Sequence, residues 1–449
     1  MRLFTNRPLA VSLVVLVISL GTLGSRAAAP AALEARRVVA APVPTPAPEL
    51  PVAAAVAAPA DGPVWTPVQA AAEAGLAGRQ ACLVVRRDGR TVAAHQPDTP
   101  LATASTQKLL VAAAALRALG PEHRFTTTVR GTPVVDGAVD DLWLVGGGDP
   151  MLATPAYAAY LPTTPRWQDH PPTSLAALAD SIVAAGVRRV NGTVRADDTR
   201  HELVRTVEGW KASYLDGTVS PISALSVNGG WSTWTPPRTS LADPPLDTAR
   251  MFVNLLRERG VHVTAEPVMG AAPPNSGLVA EVRSAPLRAV LTGVLKASDN
   301  MATEMILREV GLRVHRSATT EAGARAVTDV LGAAGIDVAG LGLRDGSGLH
   351  PGNRATCRTL AETIDAVGEL GGMLAVAGRN GTLNQRFVGS PLEGRLTGKT
   401  GWIAGVVGLA GRFDDRTTFA ILQNDVPSLL DGRTVEESLL HAVAGSLPP

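Results

Sequence analysis

The chain has 449 residues and a net charge of +1, with 45% hydrophobic and 18% charged residues. That length suits two or three domains, the apolar share suffices for packed cores, and the lack of a basic block argues against a nucleic-acid surface. Two cysteines exclude a disulfide-dense scaffold and a four-thiolate zinc site, and no CxxC, HExxH or phosphate-loop motif occurs.

Arg2 and Arg7 precede an apolar run from Leu9 to Leu23, followed by Ala27-Ala28-Ala29. Residues 1–29 read as a signal peptide or an uncleaved signal anchor. Residues 30–63 are Ala- and Pro-rich and read as a linker. The rest of the chain is expected outside the cytoplasm, in a periplasm-like space, in the wall or on the outer membrane face. Membrane contact is expected only through the possible N-terminal anchor. There Cys82 and Cys357 can pair or remain free buried thiols, and the sequence leaves both open.

From Val64 onward a folded body is expected. Gln69–Ala77 reads as a helix, and Ala81–Arg86 and Thr91–Ala94 as strands joined by a turn at Asp88-Gly89. Leu109–Leu119 is Ala- and Leu-rich and helical, ending at Gly120-Pro121. Thr126–Val145 reads as strands broken at Asp136-Gly137 and Asp140-Asp141. From Gly146 to Pro274, short strands and Pro-rich loops, including Pro244-Pro245, alternate with helices at Ser174–Ala185 and Thr248–Arg259. Helices follow at Leu287–Leu295, Met301–Val310, Thr319–Ala334 and Arg358–Val367. Strands at Gly405–Phe413 and Thr417–Gln423 precede a last helix at Val435–Ala444. The outline is an α/β (α+β) domain in two parts, 64–128 and 278–449, interrupted by a β-rich insertion at 129–277.

Of 41 basic residues only four are lysine, and three of them lie in or beside short motifs. Ser105-Thr106-Gln107-Lys108 opens the Leu109 helix. Residues three apart share a helix face, so a lysine with a lowered pKa can take the proton of the serine and make it a nucleophile. The same four residues also read as an ordinary polar helix start. Ser298-Asp299-Asn300 follows Lys296 and opens the Met301 helix. Its hydroxyl can relay a proton and its amide can hold a substrate amide, and all three residues are also common helix caps. Lys399-Thr400-Gly401 reads as a loop just before a strand. Lys and Thr there can bind a carboxylate, and glycine can admit a substrate backbone to a strand edge. Serine β-lactamases and penicillin-binding proteins carry these three motifs in this order.

The surroundings narrow the likeness. Leu101–Phe125, Gly146-Gly147-Gly148-Asp149-Pro150, Pro221–Asn228, Ser298–Glu304, Asp345–Leu349, Gly381-Thr382-Leu383 and Gly398–Gly405 together resemble the class C low-molecular-mass penicillin-binding proteins. These are the D-alanyl-D-alanine carboxypeptidase/endopeptidases similar to penicillin-binding protein 4. The resemblance runs from about residue 65 to 445. It implies a penicillin-recognising serine transpeptidase/β-lactamase-like domain with an insertion between the first two motifs. It also implies a serine-type D-Ala-D-Ala carboxypeptidase acting on peptidoglycan stem peptides and acylated by β-lactam antibiotics. By that likeness Ser105 is the nucleophile, Lys108 its base, and Ser298 passes a proton to the leaving amine with help from Lys399. Asn300 orients the substrate amide, and Thr400 and Lys399 bind the terminal carboxylate. The N–H groups of Ser105 and Trp402 form the oxyanion hole. No metal or organic cofactor is expected.

Two departures stand out. Trp402 occupies a place where the family commonly has a small hydroxyl residue. His350-Pro351-Gly352 follows Asp345–Leu349 where the family often has Ser and Arg. A class A β-lactamase would be shorter and would carry an ExxLN motif. A catalytically weak or inactive wall-binding homologue would show a broken motif. A zinc peptidase would need clustered His and Asp, and Asp197–Glu202 reads instead as a polar turn. Lys211 attracts no special role, and Trp210, Trp231 and Trp234 are expected to serve packing.

Overall fold

Nine consecutive residues, Lys108 to Leu116, are buried on every side of one helix. A helix apolar all round has to sit at the centre of a domain, and the rest of the first unit is arranged about it. The structure is a computed structural model and describes residues 63–447. The N-terminal apolar run and nearly all of the Ala/Pro-rich segment lie outside the described residues.

In chain order, α1 (Thr66–Leu76), β1 (Gln80–Arg87) and β2 (Arg90–His95) lead to a 3-10 turn, Ala104–Gln107, and α2 (Lys108–Leu119). The chain then builds β3 (Thr126–Gly131), β4 (Leu142–Val145), α3 (Leu175–Ala184), β5 (Val194–Asp197), α4 (Pro244–Glu258), β6 (Val268–Met269) and β7 (Gly277–Arg283). It returns through α5 (Leu287–Ala297), α6 (Asn300–His315), α7 (Thr320–Ala333) and α8 (Cys357–Ala366). It closes with β8 (Ala375–Val376), β9 (Thr397–Ile403), β10 (Val406–Arg412), β11 (Thr417–Asn424) and α9 (Leu429–Gly445).

The first and last strands meet in one antiparallel sheet of order β8-β9-β10-β11-β1-β2. Side chains alternate across it, as a strand period of two requires. Cys82, Val84, Ala420 and Leu422 face the cluster built by α2, α5, α6, α7 and α8. Leu83, Val85, Phe419 and Ile421 face α1 and α9. The result is a three-layer helix–sheet–helix sandwich with α2 in the thick layer. A second, mixed sheet of order β6-β5-β4-β3-β7 has its own core, where Leu144 and Val194 meet Leu178, Phe252 and Leu256. All its strands lie between α2 and α5 in sequence, so this unit is inserted into the first.

Three local readings of the sequence change. Pro244-Pro245 is not a loop but the first turn of α4, behind the Asp243 cap that accepts from Leu246 N–H; proline fits there because its missing N–H has no helical partner. Lys399-Thr400-Gly401 is not a loop before a strand but the middle of β9. The strand β7, not foreseen in the sequence, pairs antiparallel with β3.

Cys82 on β1 and Cys357 at the start of α8 form a disulfide, both fully buried. It ties the sheet to the helical layer across 275 residues of sequence. A cross-link that closes so long a loop restricts the unfolded chain strongly, and removing one typically costs about 2–5 kcal/mol. Cys82→Ser/Cys357→Ser is therefore expected to unfold at clearly lower temperature and denaturant concentration than the oxidised parent, with reduction of the parent giving the same shift. Equal midpoints by circular dichroism would show that the cross-link carries no stability.

Candidate active site

Ser105 lies in the 3-10 turn that precedes α2, and it is the only residue from Leu101 to Leu116 that is not buried. The preceding Ala104 has φ +44°, a conformation that L-residues avoid, and the turn is held by Thr106 Oγ1 donating to Thr103 O at 2.6 Å. One helical turn on, Lys108 is fully enclosed. Its Nζ donates to Ser105 Oγ at 2.9 Å, to Asn300 Oδ1 at 2.7 Å and to the Ser347 carbonyl. Three ammonium hydrogens thus meet three acceptors. When the ammonium loses a proton, two of these partners, the amide oxygen and the carbonyl, still only accept. The Ser105 hydroxyl alone can donate into the lone pair. The cage therefore directs the basic form of Lys108 at Ser105.

Burial lowers the Lys108 pKa to about 8, against the opposing pull of Asp345, Glu304 and Asp299. None of those carboxylates makes a hydrogen bond to the ammonium; they hold the frame. Glu304, one turn after Asn300 on α6 and fully buried, accepts from Gly346 N–H at 2.9 Å and Ser347 N–H at 2.7 Å. Burial and the nearby Asp345 push its carboxyl up. Asp345 accepts from the Trp210 indole at 2.8 Å, from Gly348 N–H at 2.9 Å and from Asn353 Nδ2 at 2.8 Å. These bonds fix the peptide whose carbonyl receives Lys108. Gly348 (φ +85°) touches the Ser105 turn so closely that a Cβ would lie 1.9 Å from Ala104 O. The sequence alone assigns Asp345–Leu349 no role. The working group is a backbone carbonyl, which leaves no mark in a sequence beyond the glycines around it.

The second motif sits at a helix–helix junction. α5 ends at Ala297, Ser298 alone is left-handed (φ 59°, ψ 49°), and the Asp299 side chain caps α6 by accepting from Ala302 N–H at 3.1 Å. The Ser298 hydroxyl lines the cleft and has no hydrogen-bond partner among the described residues. Asn300 faces Lys108, while its Nδ2 donates to Thr218 O of the insertion at 2.9 Å. Its amide thus ties Lys108 to the insertion.

The third motif packs on the first. Gly401 and Gly408 are paired across β9 and β10, and a Cβ on either would press on Thr106 Cγ2 at 3.1 and 3.2 Å. A Cβ on Gly401 would also lie 2.8 Å from Thr103 O. The glycine therefore admits the Ser105 turn to the sheet. Lys399 is fully buried and donates to Thr400 O at 2.8 Å. Burial, with Lys108 and Arg166 nearby, holds its pKa well below the ordinary lysine value. It stands behind the cleft wall rather than in it. Thr400 is in the wall, with its hydroxyl on Thr382 Oγ1 at 2.9 Å. Trp402 is 57% exposed and lines the cleft.

Ser105, Ser298, Asn300, Thr400 and Trp402 thus line one cleft of about 770 Å³, with Lys108 and Lys399 beneath. Arg166, Lys211, Arg238 and Arg433 also line it, against the single carboxylate of Asp299. Lys211 therefore belongs to the cleft wall, Trp231 to that wall and not to packing alone, and Trp210 holds Asp345. The Asp197–Glu202 stretch is a web of ion pairs, in which Arg200 and His201 both meet Glu309 at 2.7 Å. Among the described residues no cluster of His, Cys, Asp and Glu is arranged to hold a metal.

Comparison with protein families matches residues 68–240 and 231–444 to the D-Ala-D-Ala carboxypeptidase 3 (S13) family. A carboxypeptidase of Mycobacterium tuberculosis is 33% identical over 362 residues, covering 76% of this chain and 75% of the relative. A D-alanyl-D-alanine carboxypeptidase of an Actinomadura species is 27% identical over 412 residues, covering 72% and 73%. The fold is shared with penicillin-binding protein 4 of Haemophilus influenzae, at a TM-score of 0.67 and 20% identity over 82% of this chain and 98% of that one. With a family match that runs from residue 68 to residue 444 and a relative one-third identical over three quarters of both chains, this chain belongs to the D-Ala-D-Ala carboxypeptidase 3 (S13) family.

Proposed function

We propose that the chain hydrolyses the peptide bond between the two terminal D-alanines of peptidoglycan stem peptides through a Ser105 acyl-enzyme, and that β-lactams acylate the same serine. The observation that carries this reading is the 2.9 Å contact between Ser105 Oγ and a buried lysine whose other two partners can only accept. Neutral Lys108 takes the Ser105 proton as Oγ bonds to the carbonyl carbon. The developing oxyanion is met by the N–H groups of Ser105 and Trp402, where losing one donor typically costs about 3 kcal/mol. The C–N bond then breaks as the Ser298 hydroxyl, in the cleft wall, gives its proton to the leaving D-alanine amine and takes in its place the proton that Lys108 received from Ser105. Water releases the acyl group and restores Ser105.

The cationic wall suits a substrate that ends in a carboxylate. Thr400 is the hydroxyl in position to receive it. Lys399 stays behind the wall, fully buried and bonded to Thr400 O. Asn300 acts on Lys108 more directly than on the substrate amide, because both ends of its side chain are already bonded. The chain is expected to work outside the cytoplasm, where its substrate lies; among the described residues no helix is long and apolar enough to cross a membrane.

Incubation with benzylpenicillin is expected to add one acyl group per chain by intact mass, and none to Ser105→Ala. A persistent adduct on the variant, or none on the folded parent, would contradict the assignment. The pH dependence follows from the direction of the Lys108 shift. The neutral amine is the reactive form, so acylation is expected to rise as pH passes about 8 and to level off above it. A stopped-flow profile that stays flat from about pH 6.5 to about pH 9.5 would exclude Lys108 as the base.

A further inference from the structure

A short stretch of the inserted unit, Pro165–His170, grips the chain on both sides of Ser298. Arg166 Nε donates to Ala297 O at 2.9 Å. Asp169 pairs with Lys296 at 3.2 Å. His170 Nε2 meets Asp299 Oδ2 at 3.3 Å. Residues 296, 297 and 299 are each held, and the residue left between them is the left-handed serine. The fit is tight, since a Cβ on Gly293 of α5 would lie 3.0 Å from His170 Cα. The stretch is fixed in turn, with Trp167 buried beneath the Arg238 guanidinium at 5.0 Å and Pro165 O accepting from Gly381 N–H at 3.2 Å.

A non-glycine residue in the left-handed region is disfavoured and persists only where its surroundings over-determine it. Within the junction, Asp299 N–H donates to Val294 O at 3.0 Å and the Asp299 carboxylate caps α6. These local bonds fix where α5 stops and α6 starts. They leave the angle between the two helices to whatever packs outside them. The three contacts from the insertion supply that outside support, and one of them reaches the same carboxylate that caps α6.

We propose that Pro165–His170 is a positioning element that sets the Ser298 hydroxyl for proton delivery to the leaving amine, so that the insertion takes part in bond cleavage without touching the reacting atoms. The proposal rests on the reading of Ser298 as that proton donor. Its consequence is a selective one. An amide substrate expels an amine and needs the proton, whereas a thioester of the same acyl group expels a thiolate and does not. A misplaced general acid therefore slows the first and spares the second.

The test compares kcat/KM for an acyl-D-alanyl-D-alanine peptide and its thioester analogue in the full chain, in Ser298→Ala, in His170→Ala, in His170→Gln and in Asp169→Asn. Ser298→Ala and His170→Ala are expected to lower the peptide-to-thioester ratio about ten- to hundredfold. Asp169→Asn is expected to lower it less. His170→Gln is expected to recover part of the ratio, because a side-chain amide can still donate to Asp299. A selective loss in Ser298→Ala alone, with the clamp variants unchanged or slowed equally on both substrates, would overturn the clamp and keep the Ser298 reading. Equal loss on both substrates in Ser298→Ala would overturn that reading and the clamp with it. The Asp169–Lys296 pair is partly exposed, so Asp169→Asn keeps the question answerable if His170→Ala does not fold.

Discussion

One ammonium group organises this molecule. Lys108 is shut away from water at the first turn of a helix buried from Lys108 to Leu116, and its three partners come from three places: the Ser105 turn, α6 and the Ser347 loop. A buried charge without partners would cost several kcal/mol, so these contacts stabilise the fold as much as they shape the site. Each partner has its own anchor. Glu304 and Asp345 hold the Ser347 peptide, Thr218 holds Asn300, and the glycines at 348 and 401 let backbone approach backbone where a methyl group would not fit. The catalytic arrangement is therefore built mostly from groups that never meet a substrate.

The inserted unit is part of that construction. Its Trp210 bonds Asp345, its Thr218 bonds Asn300, and its Arg166, Asp169 and His170 hold the junction at Ser298. It also supplies Arg166, Lys211 and Arg238 to the cleft wall, which makes the cleft cationic and favours substrates ending in a carboxylate. A chain that kept all three motifs but lost this unit would lack the contacts that orient two of them.

Much of this was legible in the sequence. The helix at residues 108–119 announces itself by a run of Ala and Leu ended at Gly120-Pro121, those at 287–297, 300–315 and 320–333 by regular apolar patterning, and the motif order carried the family resemblance. The scarcity of lysine drew attention to residues 108 and 399. What escaped has physical reasons. β9 is read as a loop because, from Gly398 to Gly401, two of the four residues are glycine and only Thr400 has the branched side chain that marks strands. β7 is half-exposed along its length, so its alternation is weak. The disulfide joins residues 275 apart, which no local pattern reports. The Ser347 carbonyl is a backbone atom. The hold of residues 165–170 on residues 296–299 is long-range packing, set by the way two units meet.

The most direct test is the titration of Lys108 itself. Only four lysines are present, so lysine-labelled protein gives few enough side-chain signals to assign by single substitutions of Lys211, Lys296 and Lys399 to arginine. Followed by nuclear magnetic resonance across the alkaline range, the Lys108 signal is predicted to turn over near pH 8, where burial holds its pKa. A midpoint at the ordinary lysine value of 10.5 would mean that the group stays charged at working pH. It could not then serve as the base for Ser105, and the account of the site built on it would fail.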